Sequence, residues 1–216
     1  MKISPLDAEL SIYLITDGTT NIANFAEKKE DILHLVKIAV ETKVSLIQIR
    51  EKLLPARYVF ELAVEVCKLT KNTGTKILVN DRADIALAAN TDGVHLTAAS
   101  LSAAIIRQHF PANFIVGVSA HTLEKAEAAK MQGANFVTFS PIYQSPDKGA
   151  PQGIEKLKEV CQWLKPFPVI ALGGIDETNF AEVLETGASG FAAIRFLNDE
   201  GNLKKLNENF AAKNYK

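Results

Sequence analysis

Eight short apolar runs recur along the chain: IYLI (12–15), VSLIQI (44–49), KILV (76–79), GVHL (93–96), FIVGV (114–118), NFVTF (135–139), FPVIAL (167–172) and GFAAI (190–194). They are rich in β-branched residues, bounded by turn residues, and mostly lack in–out alternation. That pattern predicts strands buried on both faces, as in a parallel sheet. Amphipathic segments lie between them. In DILHLVKIAVET (31–42), Ile32, Leu35, Val36 and Ala39 fall on one helical face. Pro55 predicts the start of the next helix and Gly74 its end. Thr122 is the expected N-cap of a helix closed by Gly133, and Asp176 that of a helix closed by Gly187. Eight even βα units in 216 residues predict an α/β fold, a (β/α)8 TIM barrel, as one domain over 1–216. The even spacing and the absence of G-x-G-x-x-G argue against a doubly wound sheet.

Composition adds mostly exclusions. With 24 Lys and Arg against 25 Asp and Glu, the formal net charge is −1, so no global field favours nucleic acid or an anionic membrane surface. The N-terminal MKISPLDAEL has no continuous apolar core of a secretory signal, and no run approaches the ~18 apolar residues of a membrane span. The expectation is a cytoplasmic protein acting on small molecules, compatible with homo-oligomerisation. Cys67 and Cys161 lie far apart in helical segments and read as reduced packing thiols.

A barrel of this kind gathers its chemistry where the strands end. Thr16-Asp17-Gly18 follow the first run, Gln48, Arg50 and Lys52 close the second, and Asn80-Asp81-Arg82 the third. His95 and Thr97 mark the fourth, Ser119 and His121 the fifth, and Ser140 with the loop PIYQSPDKGAPQG the sixth. Gly173-Gly174 follow the seventh and Arg195 the eighth. Arg50, Lys52, Lys148 and Arg195 suit a polyanion. The glycine pair lets backbone N–H groups approach phosphate. Asp81, beside Asn80, suits Mg²⁺ held by one carboxylate plus substrate phosphates. On an extended tip Gln48, Arg50 and Lys52 point one way and Glu51 the other. There is no His/Cys ligand cluster for zinc, and Ser119 with His121 does not make a hydrolase triad. His95 reads as a packing histidine; His34 and His109 are incidental.

Five stretches carry a resemblance: QIREK (48–52), ILVNDRADIALAANTDGVHL (77–96), VGVSAHTLEKA (116–126), SPIYQSPDKG (140–149) and VIALGGI (169–175). In this order they resemble the thiamine phosphate synthase family, which also includes the TenI-type thiazole tautomerases. The resemblance implies a transferase that joins an aminopyrimidine diphosphate to a thiazole phosphate with Mg²⁺ and releases pyrophosphate. It implies that Gln48, Arg50, Lys52 and Asn80 contact the pyrimidine diphosphate and that Asp81 binds the metal. Ser119 and Lys148 would hold pyrophosphate, with Ser145 and Asp147 in the same substrate loop. Gly173, Gly174, Ile194 and Arg195 match positions around the thiazole phosphate.

The chain also departs from the pattern. Where synthases carry Gly-Gln-x-Asp after strand four, this sequence has Thr97-Ala98-Ala99-Ser100, so Ser100 stands where the second metal ligand is expected. Asp147 sits beside Lys148 in the pyrophosphate loop. Tautomerases lack the second acid too, need no metal, and use a histidine after strand five, matched by His121. Intact Gln48, Arg50, Lys52, Asn80 and Asp81 favour the synthase, because a tautomerase has no pyrimidine diphosphate to hold. A third reading is a non-catalytic barrel that binds thiazole or thiamine phosphates.

Overall fold

The chain alternates strand and helix throughout in a computed structural model that describes residues 10–146 and 149–213, with side chains of the last helix as far as Leu206. The elements are β1 (Ser11–Ile15), α1 (Phe25–Glu41), β2 (Leu46–Ile49), α2 (Ala56–Thr70), β3 (Lys76–Asn80), α3 (Ala83–Ala88), β4 (Gly93–Leu96) and α4 (Ala103–His109). They continue as β5 (Ile115–Ala120), α5 (Leu123–Met131), β6 (Phe136–Phe139), α6 (Gly153–Leu164), β7 (Val169–Leu172), α7 (Phe180–Glu185), β8 (Gly190–Ala193) and α8 (Glu200–Lys213). The strands form a closed barrel in sequence order, β1 to β8. β2 pairs with β3 and β6 with β7 in parallel, with Ile47 beside Ile77 and Val137 beside Val169. The (β/α)8 expectation holds.

Residues group into two compact units. One holds Tyr13–His95 with the chain from Ile194 onward; the other holds Leu96–Ala193 with the segment ending at Ile12. In the first, α1 buries Ile32, Leu35, Val36 and Ala39, and α2 buries Val59, Leu62, Ala63 and Val66. In the second, α6 buries Leu157, Val160, Cys161 and Leu164, the i, i+3, i+4, i+7 stripe of a helix lying on a sheet. Cys161 is buried and Cys67 half-buried; neither is in a disulfide, and burial pushes both thiols up to about 11. They are the inert packing thiols expected. Among the described residues no helix is long and apolar enough to cross a membrane.

Several boundaries differ from expectation. Thr122 caps α5 as anticipated, accepting the Lys125 N–H at 3.3 Å, and Gly133 follows that helix at φ +86°. Asp176 does not cap α7. Its carboxylate accepts the Thr178 N–H at 2.9 Å and the Thr178 hydroxyl at 2.6 Å, closing a turn of its own, and the helix begins later, after Asn179. Asp side chains compete for local N–H groups in this way, which blurs helix starts in sequence. Pro55 occupies the N-cap position, one residue before the helix. That helix ends at Thr70, ahead of Asn72 at φ 64°, so Gly74 is not its terminator.

One contact constrains the start of β8. The Ser11 N–H donates to the Ser189 carbonyl at 2.9 Å, and a Cβ on Gly190 would stand 1.9 Å from the Ser11 carbonyl oxygen. That obstacle is backbone, which cannot swing aside. Gly190→Ala is expected to destabilise the protein by about 3 kcal/mol or more, read as a lower midpoint in chemical denaturation beside wild type.

Candidate active site

The first unit carries the tips of β1, β2 and β3 and the start of the β8–α8 connection. Inside it, Gln48 Nε2 donates to Tyr13 Oη at 2.8 Å, and Tyr13 Oη lies 3.1 Å from His95 Nδ1. These residues sit on β1, β2 and β4, so a bond between β1 and β4 side chains runs through the barrel interior rather than along its wall. Tyr13 is 0%, Gln48 2% and His95 2% exposed. Burial disfavours the imidazolium and holds His95 down at about 3, while burial raises Tyr13. His95 is therefore neutral, and one proton is shared between its Nδ1 and the tyrosine hydroxyl. His95 packs, as expected, with a specific partner. Tyr13 was not singled out by sequence, although a tyrosine inside a wholly buried strand signals a required partner for its hydroxyl.

The tip of β2 is not the extended ladder anticipated. Arg50 is half-buried, and its N–H donates to Thr16 Oγ1 at 2.8 Å. The chain then turns, with the Leu54 N–H donating to the Glu51 carbonyl at 3.2 Å. Glu51 becomes the buried residue, 4% exposed, and Lys52 is exposed on the turn. Alternation stops where the ladder stops, and Glu51 is enclosed by protein rather than by solvent. At β3, Asn80 is half-buried and Asp81 is exposed at φ +66°, held by its N–H donating to the His95 carbonyl at 2.8 Å. A left-handed aspartate at a strand tip is an uncommon backbone state that turns the side chain out of the strand path. Asp81 does not cap α3, whose N-cap is Arg82. After β8, Ile194 is half-buried and Arg195 exposed in a turn pinned by Asn198 Nδ2, which donates to the Ile15 carbonyl at 2.7 Å and to the Ile194 carbonyl at 2.6 Å.

The second unit carries the tips of β5, β6 and β7. Ser119 is half-buried at the end of β5. His121 Nδ1 lies 2.7 Å from the Ser140 carbonyl oxygen, which can only accept, so a ring proton sits on Nδ1. The residues after β6 extend the sheet: the Ile142 N–H donates to the Leu172 carbonyl and the Tyr143 N–H to the Gly173 carbonyl, each at 3.0 Å. Tyr143 Oη donates to Glu182 at 2.8 Å and Ser145 Oγ to the Tyr143 carbonyl at 3.2 Å, so the root of this loop is anchored on α7. Gly173 and Gly174 lie against it. A Cβ would stand 2.8 Å from Pro141 Cα at the first and 2.7 Å from the Gln144 carbonyl oxygen at the second, with φ of +107° and +67°. Loop packing is thus one reason for both glycines, besides the anion approach inferred from sequence. Asp147 and Lys148 lie outside the described residues.

The metal expectation divides. Asp81 suits a single-carboxylate site completed by phosphates. Ser100, at the second position, offers an uncharged hydroxyl whose Oγ accepts the Thr97 N–H at 2.6 Å and closes the 97–100 turn. Among the described residues no group of three or more His, Cys, Asp or Glu could hold a metal.

Comparison with known proteins decides the family. Residues 12–197 match the family described as thiamine monophosphate synthase. The chain belongs to the thiamine monophosphate synthase family. It is 43% identical over 189 residues to a Geobacter sulfurreducens protein described as a candidate thiamine-phosphate synthase, covering 86% of this chain and 85% of that one. It is 34% identical over 190 residues to a thiamine-phosphate synthase of Clostridium acetobutylicum, covering 87% of each. Among solved structures, the thiamine phosphate pyrophosphorylase of Pyrococcus furiosus superposes with a TM-score of 0.78 at 29% identity, covering 93% of this chain and 96% of that one.

The interior histidine makes stability depend on pH. The unfolded chain takes up the His95 proton near its ordinary 6.5, whereas the folded chain resists it to about 3. The contribution is whole above the unfolded value and is lost as pH falls between the two, at up to roughly 1.4 kcal/mol per pH unit. Denaturation at pH 7 and pH 5 is expected to show a steeper loss for wild type than for His95→Gln; equal slopes would contradict the neutral buried ring.

Proposed function

We propose that the protein is a thiamine phosphate synthase, coupling an aminopyrimidine diphosphate to a thiazole phosphate. The bond between the pyrimidine methylene carbon and the diphosphate oxygen breaks, and pyrophosphate leaves with the electron pair. The thiazole nitrogen supplies the electrons of the new C–N bond. Such chemistry asks for leaving-group stabilisation and exclusion of water rather than a strong acid or base. The observation that carries the reading is the β2 tip, where Arg50 is held by Thr16 at 2.8 Å with Lys52 following on the turn, because these cations serve a diphosphate.

In this reading Arg50 and Lys52 bind the diphosphate, and Gln48 and Asn80 border the pyrimidine. Gln48, bonded to Tyr13, does so from the barrel interior. Ser119 and Lys148 hold the departing pyrophosphate, with Ser145 and Asp147 on the same loop. Gly173, Gly174, Ile194 and Arg195 border the thiazole phosphate. Asp81 would hold Mg²⁺, which supplies charge neutralisation of the diphosphate when bound. The partners are small phosphorylated molecules.

His121 keeps the TenI-type tautomerase in view, since its Nδ1–H is fixed on the Ser140 carbonyl and Nε2 is left for proton transfer. A synthase does not need that base. Purified protein given both substrates and Mg²⁺ is expected to form thiamine phosphate. Arg50→Ala and Asp81→Asn should each lower kcat/KM by about a hundredfold or more, while His121→Ala retains coupling. Absence of coupling together with His121-dependent proton exchange on a thiazole carboxylate phosphate would identify a tautomerase. Binding of thiazole phosphate with neither activity would leave a binding barrel.

A further inference from the structure

The β1–α1 loop and the tip of β2 interlock at three points. Thr16 Oγ1 accepts the Arg50 N–H at 2.8 Å. Gly18, at φ +78°, lies so close to Arg50 that a Cβ would stand 2.9 Å from a guanidinium nitrogen and 3.0 Å from the Arg50 carbonyl oxygen. Glu51 Oε2 accepts the Thr20 N–H at 3.1 Å.

The third point is physically odd. Thr20 is 0% exposed and Glu51 4%, and Glu51 Oε1 and Thr20 Oγ1 are both buried with no hydrogen-bond partner among the described residues. A buried carboxylate with one unmatched oxygen is unfavourable. Its negative charge, next in sequence to Arg50 and Lys52, also works against attraction of an anion. Neither stability nor phosphate affinity explains a glutamate here. Its one bond fastens Thr20, and with it the loop whose Gly18 backs the Arg50 guanidinium.

We propose that Glu51 is a positioning residue: by holding the Thr20 N–H it fixes the β1–α1 loop against Arg50 and so sets the pose of the guanidinium for a diphosphate. The diphosphate rests on the synthase reading above; the latch between Glu51 and Thr20 does not. A side chain that accepts the Thr20 N–H should suffice, whether or not it is charged. Glutamine qualifies, and its amide could also donate to the stranded Thr20 hydroxyl.

The test pairs Glu51→Ala with Glu51→Gln. Deuterium exchange over residues 16–24 reads the latch, and the KM for the pyrimidine diphosphate reads its consequence. E51A is expected to speed exchange in that segment by about tenfold or more, with the other strands unchanged, and to raise KM by about tenfold with a smaller change in kcat. E51Q is expected to restore both, with a Tm at or above wild type. If E51A does not fold, Glu51→Asp keeps the charge, falls one methylene short of Thr20, and should show the same pair of effects. E51Q as defective as E51A, or an E51A KM equal to wild type despite faster exchange, would overturn the proposal. A wild-type protein that makes no thiamine phosphate would sink the synthase reading alone, because the exchange experiment still reports the latch.

Discussion

Strands buried on both faces set the terms for everything else in this protein. Tyr13, Leu46, Phe136 and Phe191 are all fully enclosed, so their strands have no solvated face on which to carry charge. Polar chemistry is confined to two places: the strand tips, where the ladder ends, and the few interior groups that satisfy one another. The chain from Tyr13 through Gln48 and His95 is the second kind. Each member is deprived of water, and the tyrosine hydroxyl accepts from the amide and hydrogen-bonds the imidazole. A buried network of this sort is favourable only when complete, which ties β1, β2 and β4 to one side-chain arrangement.

Local backbone states at the tips then decide what the side chains can reach. Asp81 is turned out of its strand by a left-handed residue conformation, and Arg50 is fixed through its own N–H before its side chain is considered. Gly173 and Gly174 let the β6–α6 loop settle on the end of β7, where two backbone bonds lengthen the sheet beyond its regular strands. In each case a main-chain constraint does the aiming.

The family assignment and the local structure bear on different questions. Similarity over residues 12–197 identifies the lineage. The turn at Thr97–Ser100 is local: the serine hydroxyl accepts the Thr97 N–H and closes it. His121 is oriented by the Ser140 carbonyl, a contact that spans 19 residues of chain.

The sequence by itself determined the alternation of eight strands and helices, the strand ends at which chemistry would lie, and the residue types found there. Burial on both faces forces continuous apolar runs, and such runs are visible without coordinates. It also determined local caps such as Thr122, whose bond spans three residues. Tertiary structure alone decided that Glu51 is buried and Lys52 exposed, because alternation holds only while the ladder continues, and the turn after Ile49 is stabilised from another loop. It alone decided that Tyr13, Gln48 and His95 meet, since their bonds span 35 and 82 residues of chain. Ser100 closing its turn and Asp176 declining to cap α7 follow the same logic: short polar side chains have several local donors within reach, and packing selects among them.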